Sequence, residues 1–243
     1  MSNPAERIFG RFMQPKRPLV RFRRRGGVPP SDWEMLEIAA SGQFTLWRSV
    51  SRSGKGGGKI GRFAGALPAV ELAELTRALS GCTGKATAGG HPPADSSMDS
   101  FRCKGGELTI AADATPPAAW REAVGQLRAL LESLTGHPRA AIGIEAHGDG
   151  ARLAHLGTEP LELDLSNGAV RIVRWDDGAI SGQWSARLEG PRSATATPGW
   201  SFPVPFAHDL GANASLTVSV DNFLAFDGEF WRVCGLQTNL EGG

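Results

Sequence analysis

The sequence has 243 residues, of which 41% are apolar and 21% charged, and its formal net charge is +1. These values are typical of a globular protein and argue against a disordered chain. No run of 18 or more apolar residues occurs in it, so the sequence predicts no helical membrane span.

The charge is distributed unevenly along the chain. Residues 1–62 contain 13 Lys and Arg against 4 Asp and Glu, whereas residues 63–243 contain 13 against 21. This polarity indicates either an anionic partner for the N-terminal part or docking of one part of the chain on the other.

Residues 1–18 are predicted to form an extended basic tail, because three prolines oppose regular structure there. Phe9 and Phe12 interrupt the polar character of this tail. Either they anchor the tail to a partner protein, or they pack locally on the tail's own domain. The tail has no apolar stretch of 7–15 residues, so we expect no secretory signal and a cytoplasmic protein.

The first strands are predicted from alternation with a period of two. A strand over 18–26 places Arg21, Arg23 and Arg25 on one face. A tight hairpin at Ser41-Gly42 then joins strands over 33–39 and 43–50.

The stretch that follows, residues 51–65, has six glycines and is predicted to be a flexible loop. It contains a literal G-x-G-x-x-G string from Gly56 to Gly61. A dinucleotide site needs that string between a strand and a helix of a parallel sheet, and this context is missing. We therefore expect no nucleotide cofactor.

Two amphipathic helices are predicted in the first half of the chain. The first runs from Pro68 to Leu79, and the second begins at Thr115 as N-cap and ends at Gly136. A loop over 80–98 and a strand pair over 101–112 lie between them. The helical apolar repeat is clearest at 120–134.

After Pro138 the helical periodicity disappears and short alternating runs predict many strands. Asn167-Gly168, Asp177-Gly178 and Asp227-Gly228 are dipeptides that favour type I′ hairpin turns. The expected fold class is therefore α+β: an antiparallel sheet with two helices over 19–137, followed by an all-β sandwich or small barrel over 138–243.

The first domain resembles the emfourin-like family, named for a protein inhibitor of a thermolysin-type metalloprotease. The resemblance covers about residues 19–135. It rests on short motifs: Val20-Arg21-Phe22, Arg25-Gly26-Gly27, Leu67-Pro68 with Glu71–Leu75, Ser100-Phe101 and Pro116-Pro117. It implies an α+β domain that acts by binding another protein and has no catalytic residues.

Neither a catalytic nor a metal site is predicted. The three cysteines, Cys82, Cys103 and Cys234, lack Cx2C spacing, and no G-x-S-x-G motif occurs. His147, Asp149 and His155 have residue types that bind metals, but Asp149-Gly150 is also an ordinary turn, and a solvated hairpin is the preferred interpretation.

The strongest polar feature is a basic segment, which gives the candidate binding residues. They are Arg21, Arg23, Arg25, Arg48, Arg52, Lys55 and Lys59, with Phe9 and Phe12 of the tail. The leading hypothesis is a non-enzymatic protein-binding module, either an accessory subunit or an inhibitor of a larger protein. The alternative is nucleic-acid or anion binding, with Phe22 and Trp47 near the arginines, and a distant third is an enzyme with a site in the β domain.

Overall fold

Strands dominate the part of the chain that the computed structural model describes, which is residues 18–26, 32–51, 58–89, 97–147, 150–204 and 214–241. About 60% of these residues lie in strands and 16% in helices. The fold is therefore predominantly β, and the predicted α+β class is wrong. The prediction fails because the two helices cover only part of one face of a sheet that is much larger than expected.

The described strands are β1 (Pro18–Gly26), β2 (Asp32–Ala39), β3 (Gln43–Arg48), β4 (Val50–Ser51), β5 (Lys59–Ala66), β6 (Gly84–Ala88), β7 (Ser97–Cys103), β8 (Gly106–Ala111), β9 (Pro138–His147), β10 (Gly150–His155), β11 (Leu161–Asp164), β12 (Ala169–Asp176), β13 (Ala179–Arg187), β14 (Ala194–Ala196), β15 (Ser201–Val204), β16 (Ala214–Phe226) and β17 (Trp231–Glu241). The α-helices are α1 (Ala69–Ser80) and α2 (Arg121–Ser133). Short 3-10 helices at Ala118–Trp120 and Leu134–Gly136 flank α2.

Sheet 1 contains ten of the described strands, in the order β15-β10-β9-β5-β3-β2-β1-β7-β8-β6. Neighbouring strands are antiparallel except for the parallel pair β6 and β8. The sheet is continuous across residue 138, because β9 pairs with β5. The domain boundary predicted near 136–140 thus stays a prediction, and it does not coincide with an edge of sheet 1.

Helices α1 and α2 pack on one face of sheet 1, which we call the helix face. Leu127 and Leu131 of α2 are buried there against Phe22 and Phe101 of the sheet, in a cluster that also holds Leu75 of α1. The spacing of three and four between apolar residues explains why these segments are helical. The second helix begins later than predicted, at Arg121, because residues 118–120 form a 3-10 helix first.

Sheet 2 packs on the opposite face of sheet 1 and contains β13-β12-β16-β11-β14, with β17 beside β16. The apolar core between the sheets includes Ile60 and Ile142 from sheet 1, and Val218, Val220 and Leu236 from sheet 2. Strand β4 continues the chain of β3 into sheet 2, where it runs parallel to β17. The two sheets are therefore linked both by packing and by strand pairing.

Part of the glycine-rich stretch is a strand rather than a loop. Gly61 pairs with Ala141 and has a φ of +115°, and a Cβ atom there would lie 2.2 Å from the Ala140 carbonyl oxygen. Glycine is therefore required for the close approach of β5 to β9. The predicted loop over 80–98 likewise contains β6 and the start of β7.

The hairpin dipeptides behave differently from one another. Asp177 and Gly178 join β12 to β13 with φ values of 51° and 79°, as a type I′ turn requires. The prediction is confirmed there. Asn167-Gly168 does not join a hairpin, because β11 and β12 each pair with β16 instead of with each other.

Candidate binding groove

The candidate site is a groove of about 670 Å³ on the face of sheet 1 opposite the helices, over β1, β2 and β3. Sheet pairing sets its floor. Arg23 lies beside Met35, Met35 beside Trp47, and Trp47 beside Arg62, so these four form one row across the sheet. Arg21 pairs with Glu37 and Arg25 with Trp33 on either side of this row.

The wall of the groove is formed by residues 227–230, the turn between β16 and β17, and by Arg232 of β17. The Asp227 carboxylate accepts hydrogen bonds from the backbone N–H groups of Glu229 and Phe230, each at 2.8 Å. Its second oxygen accepts one from Arg232 Nε at 2.6 Å. These bonds fix the turn over the groove, because one carboxylate satisfies three donors.

The charges of the groove are incompletely paired. Arg21 Nε lies 2.5 Å from Glu37 Oε1, Arg62 pairs with Glu159, and Arg232 pairs with Asp227. Among the described residues, no carboxylate lies within ion-pair distance of Arg23 or Arg25. Burial, followed by the charges of Arg21 and Arg25, lowers the pKa of Arg23. The groove therefore lacks negative charge at these two positions.

Three donors at the groove are buried without a hydrogen-bond partner in the described part of the chain: Arg21 Nε, Arg23 Nε and Trp47 Nε1. Of these, Arg21 Nε lies at ion-pair distance from Glu37. The Trp47 side chain is only 4% exposed. Buried donors are normally satisfied, so these N–H groups add to the positive potential of the groove floor.

The rim of the groove combines aromatic rings with a guanidinium group. Arg232 lies over the Trp33 ring at 4.0 Å from its centroid and over Phe230 at 5.1 Å. Phe230 is 58% exposed, so one large apolar ring stands at the opening. Trp231 and Val233 are also exposed on the adjoining strand.

The structure brings together only part of the predicted site. Arg21, Arg23 and Arg25 line the groove, whereas Arg48 is buried on the helix face with its Nε 2.5 Å from Glu34 Oε1. Lys59 lies in β5 and does not line the groove. Phe9, Phe12, Arg52 and Lys55 lie outside the described residues.

Sequence reasoning missed the groove residues that follow β16, because Phe230 and Arg232 are some 200 residues from β1. Arg62 is one of the basic residues at the glycine-rich stretch, but the sequence assigned that stretch to a loop. The one local signal was the Asp227-Gly228 dipeptide, which marks the turn. It does not indicate which strand the turn faces.

Other candidate chemistry has no support in the geometry. In the described residues, no three His, Cys, Asp or Glu side chains are grouped so that they could hold a metal. His155 Nε2 lies 2.9 Å from the Glu159 carbonyl oxygen, and Asp149 lies outside the described residues. Burial, and secondarily Cys103, raises the pKa of the Cys82 thiol to about 11, which opposes a nucleophilic role.

Comparisons with protein-family models, curated proteins and solved structures find no match to this chain. The resemblance to the emfourin-like family therefore stays a prediction. No helix in the described ranges has the length and apolar character needed to cross a membrane.

Proposed function

We propose that this chain is a non-catalytic protein-binding module that holds an acidic segment of a partner protein in the groove. The observation behind the proposal is that Arg23 and Arg25 line the groove without a carboxylate partner among the described residues. Carboxylates of a partner would supply the missing negative charge and accept hydrogen bonds from the guanidinium groups. This interaction suits either an accessory subunit or an inhibitor, and the emfourin-like resemblance supports the inhibitor.

The surroundings of the groove favour a protein partner over nucleic acid. Trp47 is almost completely buried and Phe22 is inaccessible, so neither of the two aromatic residues predicted to stack on a base is free to do so. Glu37, Asp227 and Glu229 also line the groove, so its arginines do not form the continuous positive track that follows a phosphate backbone. A mixture of charges beside an exposed ring is instead typical of a protein interface.

Nucleic acid is retained as a second candidate because three arginines follow one strand face at regular spacing. Binding through several phosphate contacts falls steeply with salt, by orders of magnitude between low and moderate concentrations. A protein interface with an apolar rim responds less to salt.

The test is affinity purification from the native host with the wild-type protein and the double variant R23Q/R25Q. The matched control is R121Q/R187Q, which removes two exposed arginines outside the groove. We expect a stoichiometric protein partner with the wild type and the control, and its loss with R23Q/R25Q. Equal recovery with both double variants would contradict the proposal. A low-salt gel shift with DNA and RNA tests the second candidate, which fails if no complex forms.

A further inference from the structure

We infer that the groove selects an extended segment with two acidic side chains two positions apart, one opposite Arg23 and one opposite Arg25. This inference rests on the proposed function, because it specifies which acidic segment the groove accepts.

The spacing of the arginines is the first argument. Arg23 and Arg25 are alternate residues of β1, so their Cα atoms are about 6.8 Å apart at the usual rise of a strand. An extended segment lying along β1 repeats its side chains on one face at the same distance. Adjacent acids in such a segment point to opposite faces, so only one of them reaches the floor.

The number of acids follows from the charges already paired within the chain. Glu37 neutralises Arg21, the third arginine on this face of β1. Asp227 is held by Arg232 and two backbone N–H groups, so its carboxylate cannot turn to the arginines. Arg23 and Arg25 remain without an ion-pair partner, and Glu229, which also lines the groove, offsets part of their charge, so a third acid on the ligand gains little.

The position of the segment in the groove follows from the residues that form its wall. Arg232 lies over Trp33, the neighbour of Arg25, and Glu229 acts electrostatically on Arg23. The turn over 227–230 and Arg232 therefore line the groove together with these two arginines. A segment between the turn and β1 contacts the exposed Phe230 ring with an apolar residue.

The experiment compares three nine-residue fluorescent peptides of identical composition, each with one Phe and two Glu, in which the Glu residues are one, two or four positions apart. Binding is measured by fluorescence anisotropy at low ionic strength with the full chain. We expect the peptide with Glu two positions apart to bind at least about ten-fold more tightly than the other two. R23Q and R25Q should each remove that preference, and R121Q should retain it.

The outcomes separate the inference from the proposed function. If all three peptides bind equally and R23Q/R25Q abolishes binding of each, acidic recognition stands and the spacing rule is wrong. If no peptide binds at millimolar concentration, the inference is overturned, while partner capture with R23Q/R25Q decides the proposed function independently. Thermal unfolding of each variant verifies that the substitutions leave the fold intact.

Discussion

Neighbouring arginines on the two faces of β1 differ in their ion pairing. Arg24 faces the helices and contacts two carboxylates, with its Nε 2.8 Å from Asp99 Oδ1 and its Nη1 2.9 Å from Glu34 Oε2. Arg23 and Arg25, one residue to either side, face the groove without a carboxylate partner in the described chain. The same residue type on the same strand is thus structural on one face and available for binding on the other.

On the helix face, the charged side chains form ion pairs with one another. Asp99 also accepts from Arg128 of α2, and Glu34 also accepts from Arg48, which in turn contacts Glu132. Three arginines and three carboxylates form this network and their charges cancel. Because a buried charge is costly unless it is paired, the network is a condition of folding rather than a site for ligands. In the groove, by contrast, Arg23 and Arg25 have no ion-pair partner among the described residues, and this difference motivates the proposed binding role.

Removing one buried carboxylate should have the largest effect. Asp99 is fully buried between Arg24 and Arg128, and D99N leaves both cations with a neutral amide. We expect a loss of about 3 kcal/mol in the free energy of unfolding, measured by urea denaturation. The control E107Q removes the partner of the exposed Lys85 and should change stability by less than about 0.5 kcal/mol. Equal effects of both variants would contradict the contrast between the faces.

The pH dependence of the unfolding free energy in the alkaline range should report the burial of Cys82. The pKa of the Cys82 thiol is raised from 9.0 to about 11, so the unfolded chain releases this proton first as the pH rises. The contribution of Cys82 to the unfolding free energy should be constant below pH 9 and fall between pH 9 and 11. Over that interval the wild type should therefore lose about 2 kcal/mol more than C82A. Parallel curves for the two proteins would show that Cys82 is accessible.

Glu132 provides an intermediate case, because it contacts Arg48 from the solvent side. Its side chain is 66% exposed and lies 3.0 Å from a guanidinium that Glu34 already neutralises. We expect E132Q to lower the unfolding free energy by at most about 1 kcal/mol. A loss as large as that of D99N would mean that the network depends on all its members equally.

The groove arginines should have the smallest effect on stability. Arg23 is repelled by Arg21 and Arg25, so R23Q should leave the unfolding free energy unchanged within about 0.5 kcal/mol or raise it slightly. Partner binding should weaken in the same variant. A marked loss of melting temperature would indicate that Arg23 is structural after all.

The local elements were largely predictable from the sequence, and the assembly of the site was not. Alternation in β1 places Arg21, Arg23 and Arg25 on one face, and the apolar repeat identifies α2. Arg48 follows the same alternation in β3, but its pairing with Glu34 decides that it faces the helices. That pairing depends on register between strands, which local periodicity does not specify.

The strand β5 was hidden for a different reason. Glycines normally weaken strands, so a glycine-rich segment predicts a loop. Here Gly61 is needed because another backbone passes within contact distance, and this neighbour lies about 80 residues later in the chain. Sheet 1 accordingly extends across the predicted boundary, and the fold class predicted from separate halves was wrong.

The pairing of β4 with β17 has a consequence for synthesis on the ribosome. Val50 and Ser51 align with Gly235 and Leu236, about 185 residues later. At a synthesis rate of about 5–20 residues per second, β17 emerges roughly 10–40 s after β4. The arginines of β1 are therefore synthesised long before the turn between β16 and β17 that completes the groove. During that interval Trp33 and Trp47 lack the later segments that pack against them, so this part of the nascent chain exposes apolar surface that favours aggregation.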